Sequence, residues 1–250
     1  MKTNRIAIIG LIMVALAFSA CAPKAPRKVT FGSDATFPPM EFVDATTKNV
    51  VGFNVDMINA IAKVSKLDVT VKSTAWDGIF AGLAAGDYDG VLSSVTITDE
   101  RKATMDFSTP YLNAGQVIIV PKTTMNISKP EDLAGKIVGV QISTTGDIAV
   151  AKIAGVKQKK TYDDIGLAVE DLTIGRLDAV VVDSPTAAGY VLQNDKYKAK
   201  LQIVGVPFTE EYYGIAVKKG NKELLDSINQ GLAVITKDGT LDTLKKKWLQ

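Results

Sequence analysis

The chain has 250 residues, of which 29 are basic and 27 acidic; it has no histidine, and its single cysteine is Cys21. This composition excludes histidine-based acid–base catalysis, Ser-His triads and the usual zinc sites. The near balance of charge gives no electrostatic reason to bind nucleic acid, and no Gly-rich nucleotide loop is present. We therefore expect no cofactor, no metal and no nucleic-acid partner.

The first residues have the pattern of a secretory signal. Lys2 and Arg5 form a basic start, and residues 6–18 are an almost unbroken apolar run that is followed by small residues. The run is well short of the roughly twenty residues that cross a bilayer as a helix. The pattern predicts a cleaved signal over residues 1–20. Without it, the chain carries equal numbers of basic and acidic residues.

Cys21 follows the small residues at the end of this signal. Its position resembles a bacterial lipobox, in which the cysteine is acylated and becomes the new N-terminus. Phe18 departs from that motif, which usually has leucine there, and a plain signal with an incidental cysteine is the alternative. We predict lipidation of Cys21, a membrane anchor, and a short extended tether over residues 21–27 that joins no helix or sheet.

The next part of the chain alternates between strand and helix patterns. Asn54 is a plausible N-cap for the first helical run. Strands are predicted at 29–32, 69–71 and 89–95, and helices at 55–64 and 76–84.

The remaining chain continues the alternation with short β-branched apolar runs that are typical of buried strands. Strands are predicted at 116–120, 137–140, 179–182, 201–204 and 214–217, and helices at 146–153, 164–173, 185–193, 222–236 and 240–249. Repeated strand–helix–strand units favour an α/β fold with parallel sheets. Periodicity alone leaves open whether the two halves form separate sheets or one continuous sheet.

Six segments, taken in order, resemble the bacterial extracellular solute-binding proteins for polar amino acids, which are the receptors of ABC importers. They are GSDATFPPMEF (32–42), VGFNVDMINAIA (51–62), TITDERKATMDFSTPY (96–111), VGVQISTTGD (138–147), LDAVVVDSP (177–185) and YYGIAVKKG (212–220). The resemblance covers residues 28–250.

This resemblance implies a two-lobed, type II periplasmic-binding-protein-like fold, with two parallel-rich sheets joined by two crossing hinge strands. It places lobe 1 at 28–114 and 210–250, lobe 2 at 119–205, and the hinges near 115–120 and 206–213. It further implies an exported monomer that delivers a free amino acid to an ABC permease.

An amino acid is a zwitterion, so its site needs a cation for the carboxylate and an anion for the ammonium. Arg101 stands at the family's carboxylate-binding position, and its planar fork suits a carboxylate. Ser93, Ser94 and Thr96 lie at a predicted strand end, where ligands bind in open α/β sheets. The alternative is that Arg101 has no role in binding and is an exposed arginine at the start of a helix.

The other lobe is expected to supply the remaining groups that bind the carboxylate and the ammonium of the ligand. Gln141, Thr144 and Thr145 lie just before a predicted helix whose N-terminal amides favour an anion. Asp183 ends an apolar run, so its carboxylate is expected to meet the ligand ammonium. Capping is the alternative role for the threonines and for Asp183.

The resemblance assigns the ligand's side-chain pocket to Asp34, Phe37 and Trp76. Two aromatic faces can hold a guanidinium or a flat amide, and a carboxylate at the far end suits a cation. The pattern is most like the subgroup for basic amino acids, namely arginine, lysine, ornithine or histidine. Glutamine receptors share much of it and are the alternative.

Three classes of function compete. The first is a binding protein that closes on its ligand by hinge motion. The second is an enzyme on the same scaffold, such as a cyclohexadienyl dehydratase, but that activity is expected to need glutamate where this chain has Asp183. The third is a sensor or adhesin, which would need a separate signalling protein.

Overall fold

The computed structural model describes residues 25–250. The first part of the chain forms strands β1 (Arg27–Ser33), β2 (Thr36–Phe37), β3 (Glu41–Val43) and β4 (Val50–Val51), helix α1 (Phe53–Ser65), strand β5 (Leu67–Ser73), helix α2 (Ile79–Ala85), strand β6 (Gly90–Thr96), helix α3 (Asp99–Thr104), and strands β7 (Met105–Phe107) and β8 (Leu112–Asn113). The middle part forms β9 (Gln116–Pro121), β10 (Ile137–Gln141), α4 (Thr145–Ala151), β11 (Gln158–Tyr162), α5 (Ile165–Thr173), β12 (Ala179–Asp183), α6 (Ser184–Ala188) and β13 (Leu201–Val204). The chain then forms β14 (Tyr212–Lys218), α7 (Lys222–Lys237) and α8 (Thr240–Leu249). Among these described residues, no helix combines the length and the apolar character needed to cross a membrane.

The strands form two large, separate sheets and one small one. The first sheet has the order β5-β1-β6-β14-β7, with β8 also paired to β14, and the second has the order β11-β10-β12-β9-β13. Strands β2, β3 and β4 form the small sheet. We call the units built on the two large sheets the first lobe and the second lobe. The predicted two-lobed α/β fold is confirmed, and the alternative of one continuous sheet is wrong.

The two sheets repeat one arrangement, which places the ends of their strands together. Strand β1 runs parallel to β5 and β6, and β10 runs parallel to β11 and β12. Strand β14 pairs antiparallel with β6, and β9 pairs antiparallel with β12. An antiparallel strand starts where its neighbour ends, so Tyr213 lies opposite Thr96 and Gln116 lies opposite Asp183. The residue numbers at which we expect the lobes to divide stay predictions.

The start of the described chain differs from the predicted tether. Arg27 and Lys28 are the first residues of β1, and they pair with Leu67 and Asp68 of β5. The prediction that the tether includes Arg27 is therefore wrong, because the edge of the sheet supplies partners for its backbone. The predicted signal and the lipidated Cys21 lie outside the described residues.

The predicted N-cap of the first helix is also wrong. Gly52 caps α1, and Asn54 lies inside its first turn with its side chain buried. The amide of Asn54 donates to Glu41 and to Ser94, so the polar residue serves a buried network instead of the helix end. A Cβ at Gly52 would lie 2.3 Å from the carbonyl oxygen of Met40, and its φ of 133° also favours glycine.

Two other predicted helices are shorter than expected. Helix α2 begins at Ile79, which leaves Trp76 in the preceding turn, where its ring packs edge-on with Phe80 and lies beside the guanidinium of Arg101. The helix predicted over 185–193 ends at Ala188 and continues as a π-helical turn over Gly189–Gln193.

Candidate functional site

All eleven predicted site residues line a single cavity between the two lobes. About 320 Å³ of space between the protein atoms lies in this cavity, part of which is open solvent. It lies where β6, β10 and β12 end. Its lining consists of Asp34, Phe37, Trp76, Ser93, Ser94, Thr96, Arg101, Gln141, Thr144, Thr145 and Asp183.

Arg101 supplies the positive charge at one end of the cavity. Its Nη1 donates a 2.9 Å hydrogen bond to the carbonyl oxygen of Thr96, and its guanidinium lies 5.0 Å from the ring centre of Phe80 and 5.4 Å from that of Trp76. Burial lowers the pKa of Arg101, which the carboxylates of Asp183 and Glu211 partly oppose. Arginine nevertheless stays protonated in proteins. The bond to Thr96 uses one of five N–H donors, so others can meet an anion.

Asp183 lies at the end of β12 and is almost fully buried. The amide of Gln116 donates to one of its carboxylate oxygens at 2.7 Å, and the hydroxyl of Tyr213 donates to the other at 2.5 Å. Burial, with a further contribution from the nearby charge of Glu211, raises the pKa of Asp183 to about 7. A carboxyl group with a pKa near 7 loses its proton readily when a cation binds beside it.

Asp34 lies at another side of the cavity, where the two lobes touch. The amide of Gln141, in the second lobe, donates to Asp34 at 2.7 Å and to the backbone carbonyl of Asp163 at 3.0 Å. The Thr36 hydroxyl donates to the other carboxylate oxygen of Asp34 at 2.9 Å. Burial is the main cause of the raised pKa of Asp34. The rings of Phe37 and Trp76 are both buried in the cavity wall.

The two serines at the end of β6 bond to the protein itself. The backbone N–H of Asp34 donates to Ser93 Oγ at 2.9 Å, and the hydroxyl of Ser94 contacts Asn54 and Glu41. Ser94 has a φ of 48°, in the left-handed region, at an irregularity in the pairing of β6 with β14. The predicted contacts of the two serines with a ligand stay predictions.

Thr144 and Thr145 have different partners. Thr144 caps α4, since its hydroxyl accepts from the backbone N–H of Asp147 at 3.2 Å. The alternative role of Thr144 as a helix cap is therefore correct for its side chain. The residue still forms part of the cavity wall. The hydroxyl of Thr145 donates to Glu211 at 2.6 Å and lies 3.4 Å from the hydroxyl of Thr96 in the first lobe.

Four residues that support the site were not predicted from the sequence. Glu211, which precedes β14, accepts from the hydroxyls of Thr96 at 2.9 Å and Thr145 at 2.6 Å. Gln116 and Tyr213 hold Asp183, as described above. These three could have been found only from the strand register. Phe80 follows Trp76 by four residues, and this spacing of two aromatic side chains was a visible signal.

Charge is unevenly distributed around the cavity. In the part of the chain that the structure describes, Asp34, Asp183 and the adjoining Glu211 lie around one cation, Arg101. Glu41 is fully buried behind the cavity, and burial raises its pKa well above its usual value, which favours its neutral form. An excess of carboxyl groups favours a ligand that brings positive charge.

Comparisons with known proteins agree with this geometry. The model of the family described as bacterial extracellular solute-binding proteins, family 3, matches residues 29–250. The chain is 40% identical over 253 residues to a probable histidine-binding protein of Neisseria gonorrhoeae, covering 96% of this chain and 93% of the relative. It is 36% identical over 218 residues to the L-cystine-binding protein TcyJ of Escherichia coli (strain K12), covering 87% of this chain and 80% of the relative.

A solved structure described as an ancestral arginine-binding protein bound to arginine is also similar. Its TM-score is 0.85 at 43% sequence identity, and the alignment covers 90% of this chain and all of the other. These three relatives are binding proteins for different amino acids, namely histidine (as a probable ligand), cystine and arginine.

Proposed function

Since the chain belongs to the bacterial extracellular solute-binding proteins, family 3, we propose that it captures a free basic L-amino acid in the cavity between its lobes. The candidates are arginine, lysine, ornithine and histidine. The single observation that carries the proposal is the pair of buried carboxylates, Asp34 and Asp183, in a cavity whose one cation is Arg101 within the described chain. Arginine, lysine and ornithine each carry two cationic groups and one anionic group, which matches Asp34, Asp183 and Arg101 in number and sign. Glu211 does not line the cavity, and it accepts hydrogen bonds from Thr96 and Thr145.

The ligand's two backbone charges would lie between Arg101 and Asp183. Arg101 would take the carboxylate through its remaining donors, with Thr96 and Thr145 beside it. Asp183 would take the ammonium, and its two oxygens would keep their bonds to Gln116 and Tyr213. Charge-assisted hydrogen bonds of this kind are about twice as strong as neutral ones.

The ligand's side chain would run between Phe37 and Trp76 toward Asp34. The amide of Gln141 holds Asp34 in place, so the cationic head group can be accepted at a pre-positioned carboxylate. Cation–π contact with the rings would add about 0.5–2 kcal/mol. Glutamine, the alternative ligand, could meet Asp34 through its amide but would bring no charge.

Titration calorimetry of the purified protein with the common amino acids, ornithine and cystine tests the proposal. We expect a basic amino acid to bind most tightly. Tightest binding of glutamine would favour the alternative, cystine as the best ligand would overturn the basic specificity, and the absence of binding by every compound would refute the proposal.

Asp34→Asn tests the basic specificity directly. We expect it to weaken arginine binding by about ten-fold or more, because a charged hydrogen bond is lost in a buried place, whereas glutamine should change far less. Asp68→Asn, an exposed carboxylate in the same lobe, is the matched control and should change neither. Equal losses for arginine and glutamine in Asp34→Asn would contradict the assignment.

We further propose that the chain binds and releases its ligand without breaking a bond. The similar proteins reported above are binding proteins, and Asp183 stands where the dehydratase scaffold is expected to need a glutamate. Turnover of prephenate or arogenate by the purified protein would overturn this view.

Delivery to an ABC permease and a lipid anchor at Cys21 complete the proposal. The family is described as extracellular, which fits the exported location that the signal pattern predicts. Cys21→Ser should move the protein from the membrane fraction to the soluble fraction, whereas Ser19→Ala should leave it on the membrane. Retention of the Cys21→Ser variant on membranes would exclude the anchor.

A further inference from the structure

The π-helical turn Gly189–Gln193 of the second lobe lies against the first lobe at two places. The hydroxyl of Tyr190 donates to the backbone carbonyl of Thr36 at 3.3 Å. The amide of Gln193 donates to the backbone carbonyl of Trp248, at the end of α8, at 3.0 Å. The turn therefore spans from the loop beside Asp34 to the C-terminal helix of the first lobe.

Gly189 also lies close against the first lobe. A Cβ built at Gly189 would lie 2.6 Å from Cδ of Pro39 and 2.7 Å from the carbonyl oxygen of Pro38. Neither distance is possible for a real Cβ, and the backbone oxygen cannot rotate away as a side chain would. The two lobes can meet at this spacing only if position 189 has no side chain.

The backbone at Gly189 does not itself require glycine. Its φ is −56° and its ψ is −46°, which is an ordinary right-handed helical conformation that alanine adopts readily. Local conformation therefore gives no reason for glycine here, and the neighbouring Pro38 and Pro39 give a specific one. An alanine would disturb the contact between the lobes but not the turn.

We propose that Gly189 is a closure contact, which allows the second lobe to seat on the Pro38–Pro39 segment and thereby positions the ligand pocket. This inference rests on the proposed function. Phe37 immediately precedes the two prolines, and Asp34 lies in the same loop. Seating Gly189 on this loop brings Gln141 within reach of Asp34, so the contact acts on affinity through the pocket wall without touching the ligand.

Gly189→Ala should lower arginine affinity by about ten-fold or more, since an inserted methyl group must be accommodated by a backward shift of one lobe. Gly189→Leu should lower it further. The ligand-free melting temperature of Gly189→Ala should equal or exceed that of the parent, because alanine in a helical conformation restricts the unfolded chain. Leu192→Ala, an exposed residue of the same turn, is the matched control and should bind like the parent.

Small-angle X-ray scattering measures the overall dimensions of the protein and so the separation of the lobes, which a general loss of stability would not change. With saturating arginine, the parent should contract to the dimensions of the structure described above, and Gly189→Ala should stay more open. Parent-like affinity and contraction in Gly189→Ala would overturn the proposal. A lower ligand-free melting temperature would also overturn it, because the effect would then lie in folding.

Failure of the proposed function gives a different result. A parent that binds no amino acid refutes the function, and the contact is then tested by ligand-free scattering of both proteins. Part of the ligand-free parent should already be closed, so the structure described above should fit the parent profile better than the Gly189→Ala profile, whereas identical profiles would overturn the contact.

Discussion

Arg101→Ala is expected to weaken binding of every amino acid ligand by about 100-fold or more. All these ligands share the carboxylate, and truncating one partner of a buried charged pair costs about 2–5 kcal/mol. Arg101→Lys should recover only part of this loss, because a single ammonium cannot reproduce the planar fork or the stacking on Phe80 and Trp76. Calorimetric titration with arginine measures both variants.

The matched control for this experiment is Arg176→Ala. Arg176 pairs with Asp171 at 3.1 Å, its side chain is two-thirds exposed, and it does not line the cavity. It should bind arginine like the parent. Retained affinity in Arg101→Ala would show that the carboxylate lies elsewhere.

Asp183→Asn is expected to have the second largest effect, with two opposite consequences. Ligand affinity should fall by about 100-fold or more, since the ammonium loses its buried counter-ion. The ligand-free protein should instead become more stable at pH 8, by about 1–3 kcal/mol, because a buried negative charge is removed. Thermal unfolding at pH 8 with and without arginine measures both. A ligand-free variant less stable than the parent would contradict the account of Asp183.

The pH dependence of the parent follows from the same carboxyl group. Its pKa in the folded protein is about 7 against a usual value of 3.8, so between these values the folded state holds a proton that the unfolded state has lost. The contribution of Asp183 to ligand-free stability therefore falls as pH rises through this window. Arginine affinity should instead rise with pH up to about 7, by up to about ten-fold per pH unit, because the bound ammonium displaces the proton of Asp183. Asp183→Asn should reduce both slopes, and the part that remains should come from Asp34 and Glu41, whose pKa values burial also raises.

The sequence was most informative where short motifs lie at strand ends. Thr96 and Asp183 end strands whose apolar runs are visible in the sequence, and the resemblance supplied the partner motifs around Arg101 and Gln141. The side chains that the prediction grouped do line one cavity.

Other features depend on tertiary contacts that no local pattern encodes. Glu211 and Gln116 reach the site because antiparallel strands start where their neighbours end, and that register cannot be read from composition. Asn54 looked like a helix cap, but a buried carboxyl group, Glu41, competes for its amide. The role of Gly189 depends on a proline pair about 150 residues earlier in the chain.

The lobes supply complementary parts of the proposed site. Arg101 and Asp34 belong to the first lobe, whereas Asp183, Thr145 and Gln141 belong to the second. Neither lobe alone offers both a cation and an anion to the two backbone charges of an amino acid. Tight capture should therefore require both lobes to meet, and for this reason the contact at Gly189 bears on affinity.

A crystal structure of the protein grown with arginine tests the central claim most directly. We expect the ligand carboxylate within hydrogen-bond distance of the Arg101 guanidinium, the ammonium at Asp183, and the guanidinium between Phe37 and Trp76 at Asp34. Arginine bound outside this cavity, or with its carboxylate at neither Arg101 nor Thr145, would contradict the account.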